Sequence, residues 1–109
     1  MGKRVEFDLG QRGLVAHIKG ELDHHAARRV REEIDRELLR TSPCTLVIDL
    51  SEVGFMDSSG IALIIGRAEC AASVGAVVVV RGLSSSLLRL VRLSGIEKIK
   101  NLTVMGGEG

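Results

Sequence analysis

The sequence predicts an α/β domain on a mixed β-sheet, with an N-terminal hairpin followed by strand–helix units whose helices pack against the sheet. Three observations predict it. Apolar residues alternate with polar ones at Val5, Phe7 and Leu9, and again at Leu14, Ala16 and Ile18, around a Gly10-Gln11-Arg12-Gly13 turn. Two short runs, Leu46 to Leu50 and Ala76 to Val80, are apolar without clean alternation. That is the pattern of strands paired in parallel and covered on both faces. Segments with apolar residues three and four apart separate and follow these runs, giving the order β-β-α-β-α-β-α-β.

Each element has its own signal. The first hairpin ends at Gly20, and Asp23 is placed to cap the helix that follows. In that helix Ala27, Val30, Ile34 and Leu38 form one apolar stripe. Its other faces are charged, with Glu32 and Arg36 in the favourable i,i+4 order, and Thr41-Ser42-Pro43 stops it. The second helix is expected from about Ser59 to Ser73, closed by Gly75. Ser84 caps a third helix that runs to Ser94, with Gly95 after it, and Ile99 to Val104 reads as a last strand. Residues 1–105 are read as one domain and 106–109 as a frayed tail.

Composition removes several classes of function. A chain of 109 residues is one domain with a core that is almost wholly aliphatic, since Phe7 and Phe55 are its only aromatic residues. The formal charge of +1 implies no broad attraction to nucleic acid or anionic membrane, and no stacking aromatics accompany the arginines. No apolar run reaches transmembrane length, and the N-terminus lacks the apolar core of a signal peptide. A cytoplasmic protein with reduced thiols is therefore expected. Cys44 and Cys70 lack metal-ligand spacing, and Cys44 is expected as a small core or edge residue at the start of a strand.

The stretch Phe55-Met56-Asp57-Ser58-Ser59-Gly60 lies where a buried strand has ended and an apolar helix begins. Helix N-termini carry unpaired N–H groups and favour negative charge. A serine there is an ordinary cap, and also a good place to hold a phosphate. Ser59 is the expected structural cap, which leaves Ser58 free. This stretch, with Leu63, Ile64, Gly66 and Arg67 after it, resembles the signature of the anti-sigma factor antagonists of the STAS-domain family. Gly20-Glu21-Leu22-Asp23-His24-His25 resembles the sporulation branch, the anti-sigma-F factor antagonists, and Val91-Arg92-Leu93-Ser94-Gly95-Ile96 falls where that family ends its last well-defined helix.

The resemblance implies a STAS fold and a non-enzymatic switch. In its unphosphorylated form such a protein, a monomer by itself, binds an anti-sigma factor that is also a serine kinase and so frees the sigma factor. Phosphorylation, here of Ser58, switches the binding off, and a PP2C-type phosphatase resets it. A general-stress antagonist on the same fold is the alternative. Asp23 is read either as a helix cap or as a polar contact to the partner. The partner-binding set expected from the motifs is Asp23, Met56, Asp57, Ser59, Gly60, Ala62, Leu63, Gly66 and Arg67. Gly54, Gly60 and Gly66 suit close backbone approach by a kinase or a docked partner.

The second helix has a further peculiarity. Ile61, Ile64, Ile65, Ala68, Ala71 and Ala72 share a side that is expected to face the sheet. The other side holds Ala62, Leu63, Gly66, Cys70 and Ser73, with Arg67 and Glu69 at the rim. That side is either covered by another part of the domain or is a flat docking surface. Other chemistry is weakly supported. His24 and His25 are adjacent and cannot chelate as an i,i+4 pair does, so no metal is expected. No phosphate-cradling glycine loop is present, so no cofactor is expected. A serine enzyme would need a base and an oxyanion hole around Ser58 or Ser59, and the nucleophile-elbow motif is missing. A receiver domain with Asp49 or Asp57 as phosphoacceptor would need a paired acidic cluster that the first strands do not offer.

Overall fold

In the computed structural model, which describes residues 4–11 and 13–106, five strands form one sheet in chain order. They are β1 (Val5–Gly10), β2 (Gly13–Lys19), β3 (Thr45–Glu52), β4 (Val77–Arg81) and β5 (Leu102–Val104). The hairpin β1–β2 is antiparallel, and β2, β3, β4 and β5 pair in parallel. The helices are α1 (His24–Thr41), α2 (Ser58–Ser73) and α3 (Ser85–Ser94), with a short 3-10 turn at Ile96–Lys98. The predicted order therefore holds. Arg12 of the predicted turn and residues 107–109 of the predicted tail lie outside the described residues.

From β2 onward each crossover steps one strand in the same direction. Right-handed crossovers that keep one direction place every helix on the same face. Leu14, Ala16, Ile18, Leu46, Ile48, Leu50, Val78 and Val80 point to that face and are buried in one core with the apolar sides of all three helices. The opposite face stays open: Val15, Val47 and Val79 are half-buried and Val77 is 45% exposed. The two-sided cover expected for β3 and β4 is thus corrected. Their runs of Val and Ile reflect the fit of β-branched side chains to a pleated strand, not burial on both sides.

Other differences are local. The expected last strand is shortened because Ile99 N–H and Leu102 N–H bond to Ile96 and Ile99 carbonyls, which keeps residues 96–101 in turns. Asn101 then donates to the Ala68 and Ala76 carbonyls at 2.9 and 3.2 Å and ties this turn to α2 and the start of β4. Cys44 and Cys70 are both exposed and free, so Cys44 is not a core residue. On α1, Arg40 pairs with Glu37 at 2.7 Å, and the Glu32–Arg36 pair is not formed among the described residues.

The largest correction concerns α2. Its buried residues are Gly60, Ile61, Leu63, Ile64, Arg67, Ala68 and Ala71. The helix is wedged between the sheet and α1, so its buried arc turns toward Leu63 and Arg67 and away from Ile65 and Ala72. Leu63 and Arg67 are each 4% exposed. Arg67 Nε lies 2.9 Å from Asp35 Oδ1 of α1, an ion contact without hydrogen-bond alignment, and Arg67 Nη1 has no partner among the described residues. Cover for this side of α2 comes from α1. Leu63→Ala should accordingly destabilise the fold by about 2–5 kcal/mol. Leu63→Arg should cost at least as much, at roughly 4–8 °C of melting temperature per kcal/mol. Thermal unfolding of either variant at the wild-type midpoint would show that the site is not packed as described.

The open face carries one polar cluster. His17 Nδ1 lies 3.0 Å from Asp49 Oδ2 and its Nε2 lies 2.9 Å from Asp8 Oδ2, while Arg81 Nη2 reaches Asp49 Oδ2 at 3.4 Å. Burial pushes the Asp49 carboxyl up, but the Ser51 N–H and hydroxyl, His17 and Arg81 more than offset it and hold it below its ordinary value of 3.8. A depressed folded value means that the stabilisation is present above the unfolded value and is lost as pH falls through the folded one. Urea unfolding between pH 6 and the acid limb below about 4 should therefore show stability falling in wild type, with a shallower fall in Asp49→Asn. Equal slopes would remove Asp49 from the acid response.

Candidate functional site

The site is built where β2 and β3 end. The Leu22 N–H donates to the Phe55 carbonyl at 2.8 Å, and Leu22 and Met56 form an isolated parallel bridge, so the two strands stay paired into their loops. Leu22 and Met56 are buried, and each is followed by an aspartate that caps a helix. Asp23 accepts from Ala26 N–H at 2.9 Å at the start of α1. Asp57 accepts from Ser59 N–H at 2.8 Å at the start of α2. The N-termini of α1 and α2 therefore stand side by side at the carboxyl ends of parallel strands, the usual place for a functional site in such sheets.

The cap assignment at α2 corrects the expectation. The cap is Asp57, in extended backbone, whose carboxylate accepts from the Ser59 N–H two residues on, which makes Ser59 the second residue of the helix and not its cap. Both serine hydroxyls make no hydrogen bond among the described residues. Ser58 is the first residue of α2 and is exposed, while Ser59 is half-buried. At α1 the cap role of Asp23 is observed directly. The Ala26 N–H holds its carboxyl below the ordinary value, with help from His25 and Arg4.

An open groove of about 370 Å³ runs between the two helix starts. His24, Ala27, Arg28 and Arg31 of α1 line one side, and Ser59, Ala62 and Leu63 of α2 line the other. The predicted residues thus divide into two sets. Asp23, Asp57, Ser58, Ser59, Ala62 and Gly66 come to one accessible surface. Met56, Gly60, Leu63 and Arg67 lie beneath it as support. The docking face expected on α2 keeps Ala62, Gly66, Cys70 and Ser73 and loses Leu63 as a free contact.

Sequence reasoning missed Arg28 and Arg31, whose alignment with His24 and Ala27 at i, i+3, i+4 and i+7 was a readable signal. Phe55, 48% exposed beside Ser58, was also passed over as a contact. His24 and Ser59 share the groove but no hydrogen bond joins them, and no third group orients the imidazole among the described residues. Among those residues no group of three or more His, Cys, Asp or Glu is placed to hold a metal.

Two glycines of α2 have opposite reasons. A Cβ on Gly60 would overlap Met56 Cγ and Sδ, so Gly60 is required by the loop that folds over it. A Cβ on Gly66 would meet nothing within 4 Å. Gly60→Ala should cost about 1–3 kcal/mol, partly relieved by a second change Met56→Ala. Gly66→Ala should raise stability by about 0.5–1 kcal/mol. Denaturant midpoints of the three variants check this, and a destabilised Gly66→Ala chain would contradict the open position of residue 66.

The STAS domain model matches residues 5–104. The chain is similar to an anti-sigma F factor antagonist of Paenibacillus polymyxa, 32% identical over 91% of this chain and 85% of that one. It is also similar to an anti-sigma-B factor antagonist of Listeria monocytogenes, 31% identical over 84% of this chain and 79% of the relative. Among solved structures it resembles SpoIIAA of Bacillus in its phosphorylated form, with TM-score 0.69 and 25% identity over 95% of this chain and 93% of that one. It also resembles an anti-sigma factor antagonist from Mycobacterium paratuberculosis, with TM-score 0.73 and 29% identity over 91% and 83%. Pairing of β2 and β3 into the loops, two aspartate-capped helices and the match along nearly the whole chain agree: the protein belongs to the STAS-domain family.

Proposed function

We propose that this protein is an anti-sigma factor antagonist that works as a cytoplasmic, non-enzymatic switch set by phosphorylation of Ser58. Unphosphorylated and monomeric, it binds an anti-sigma factor with serine kinase activity and frees the sigma factor. The observation that carries this reading is the Ser58 hydroxyl, exposed and unbonded among the described residues at the first position of α2. Ser59 in contrast is turned into the groove wall. A kinase needs a free, accessible hydroxyl, and Ser58 offers it. A PP2C-type phosphatase then restores the binding form. The antagonist role of the relatives supports this reading, with the sporulation and general-stress types at 32% and 31% identity. The sporulation type is preferred for the Gly20–His25 segment, and the general-stress type is the alternative.

The phosphate acts through charge. It adds about −1.5 to −2 charges at neutral pH beside the Asp57 carboxylate. In the free protein the positive end of α2 tolerates it. Under a docked partner it would be desolvated and repelled. Changing binding from nearly full to nearly none takes about 5.5 kcal/mol, and an unpaired charge in an interface supplies several without any change of fold. The contact set in this reading is Asp23, Asp57, Ser59, Ala62 and Gly66, with Phe55 added from the structure.

Phosphopeptide mapping of protein from its native cells should find one phosphate, on Ser58. Ser58→Ala should bind the anti-sigma factor constitutively and Ser58→Asp weakly, with amide shifts on phosphorylation confined to the two helix starts. A phosphate on Ser59, or Ser58→Asp binding as well as wild type, would overturn the assignment.

A further inference from the structure

Helix α1 segregates its charges along its length. Residues 24–31 contain Arg28, Arg29 and Arg31 and no acid, whereas residues 32–41 contain Glu32, Glu33, Asp35 and Glu37 against Arg36 and Arg40. The Asp23 cap and Arg40 of the last turn suit the helix dipole, whereas Arg28 and Arg31 lie beyond the first turn and are not placed by it. Arg28 and Arg31 are also i,i+3 neighbours, a like-charge arrangement that costs stability. Among the described residues no carboxylate lies within ion-pair distance of either one. No acidic partner among the described residues accounts for this wall of cations.

The groove does. Arg28 and Arg31 stand along one side of it, over a floor of Ala27, Ala62 and Leu63, and no acidic residue lines it. Two guanidinium groups one helical turn apart suit carboxylates, which each can bind in bidentate fashion. Small apolar residues between them leave room for one aliphatic side chain. We propose that this groove receives an acidic segment of the protein partner, with carboxylates on Arg28 and Arg31 and an apolar side chain on Ala27 and Ala62. Assigning that segment to the anti-sigma factor rests on the reading given above. The charge and shape of the groove do not. Arginine alignment then gives the interface a direction: the carboxylates lie along α1, beyond the Asp23 cap.

The test uses the full chain, labelled with 15N, and a five-residue peptide of glutamates around a central leucine. Saturable amide shifts are expected at residues 24–31 and 59–63, weakening as salt is raised from low to physiological strength. The charge-reversed variant Arg28→Glu/Arg31→Glu should bind roughly tenfold or more weakly. Its fold should be retained with only a small change in melting temperature, because both positions are exposed. The glutamine counterpart of the peptide should not bind. Shifts elsewhere, equal binding by the charge-reversed variant, or the same shifts from inorganic phosphate at equal concentration would overturn the proposal. A second arm separates it from the switch. Immobilised Ser58→Ala protein, with and without the charge reversal, is exposed to native extract, and any anti-sigma factor is identified by mass spectrometry. Equal capture by both overturns the groove assignment and leaves the switch standing. No anti-sigma factor on Ser58→Ala, with the acidic peptide still bound at the groove, overturns the switch and leaves the acidic-segment site standing.

Discussion

Parallel pairing of β2 with β3, carried past the strands by the Leu22 N–H to Phe55 carbonyl bond and the Leu22–Met56 bridge, is the constraint on which the site depends. Two loops that leave neighbouring parallel strands would otherwise be free to diverge. The bridge holds them in register, and each is then turned into a helix by an aspartate cap at the next residue. The starts of α1 and α2 are thereby set side by side. Gly60 belongs to the same device, since the Met56 side chain lies where its Cβ would be.

Beneath this surface, α2 does two packing jobs at once. It covers the sheet through Ile61, Ile64 and Ala68 and meets α1 through Leu63 and Arg67. The Arg67–Asp35 contact crosses the α1–α2 seam, yet it is a modest source of stability. Its geometry is not that of a straight hydrogen bond, and a buried arginine with an unpartnered Nη1 carries a desolvation cost. What it supplies is position: it sets how the two helices lie against each other, and so the width of the groove between them.

The exposed strip of α2 is built of small residues. Ala62, Gly66, Cys70 and Ser73 present little side chain, and Gly66 is retained although the space for a methyl group is empty. On the α1 side, Arg28 and Arg31 are one turn apart and make no ion pair among the described residues. Local choices that work against the fold are the mark of a surface shaped for something outside it.

The linear pattern determined a great deal. Period-two alternation at Val5 to Ile18 and the α1 stripe Ala27, Val30, Ile34 and Leu38 are local consequences of strand and helix geometry, and all four stripe residues are buried as read. The Asp23, Ser84 and Gly95 caps were legible for the same reason, because a cap involves only its neighbours in the chain. The Asp57-Ser58-Ser59-Gly60 stretch was likewise legible as a helix start. Tertiary structure decided the rest. A helical wheel gives the spacing of apolar residues but not which neighbour a helix meets, so the burial of Leu63 and Arg67 against α1 was invisible until both helices were placed. Runs of valine indicate a strand but not how many of its faces are covered. That followed only from the one-directional strand order, which puts every helix on one face and leaves His17, Asp49 and Arg81 on the other. The charge of α1 was present in the sequence throughout, but its place on the wall of a groove exists only because residues 22 and 56, far apart in the chain, are bridge partners in space, held by the Leu22 N–H to Phe55 carbonyl bond.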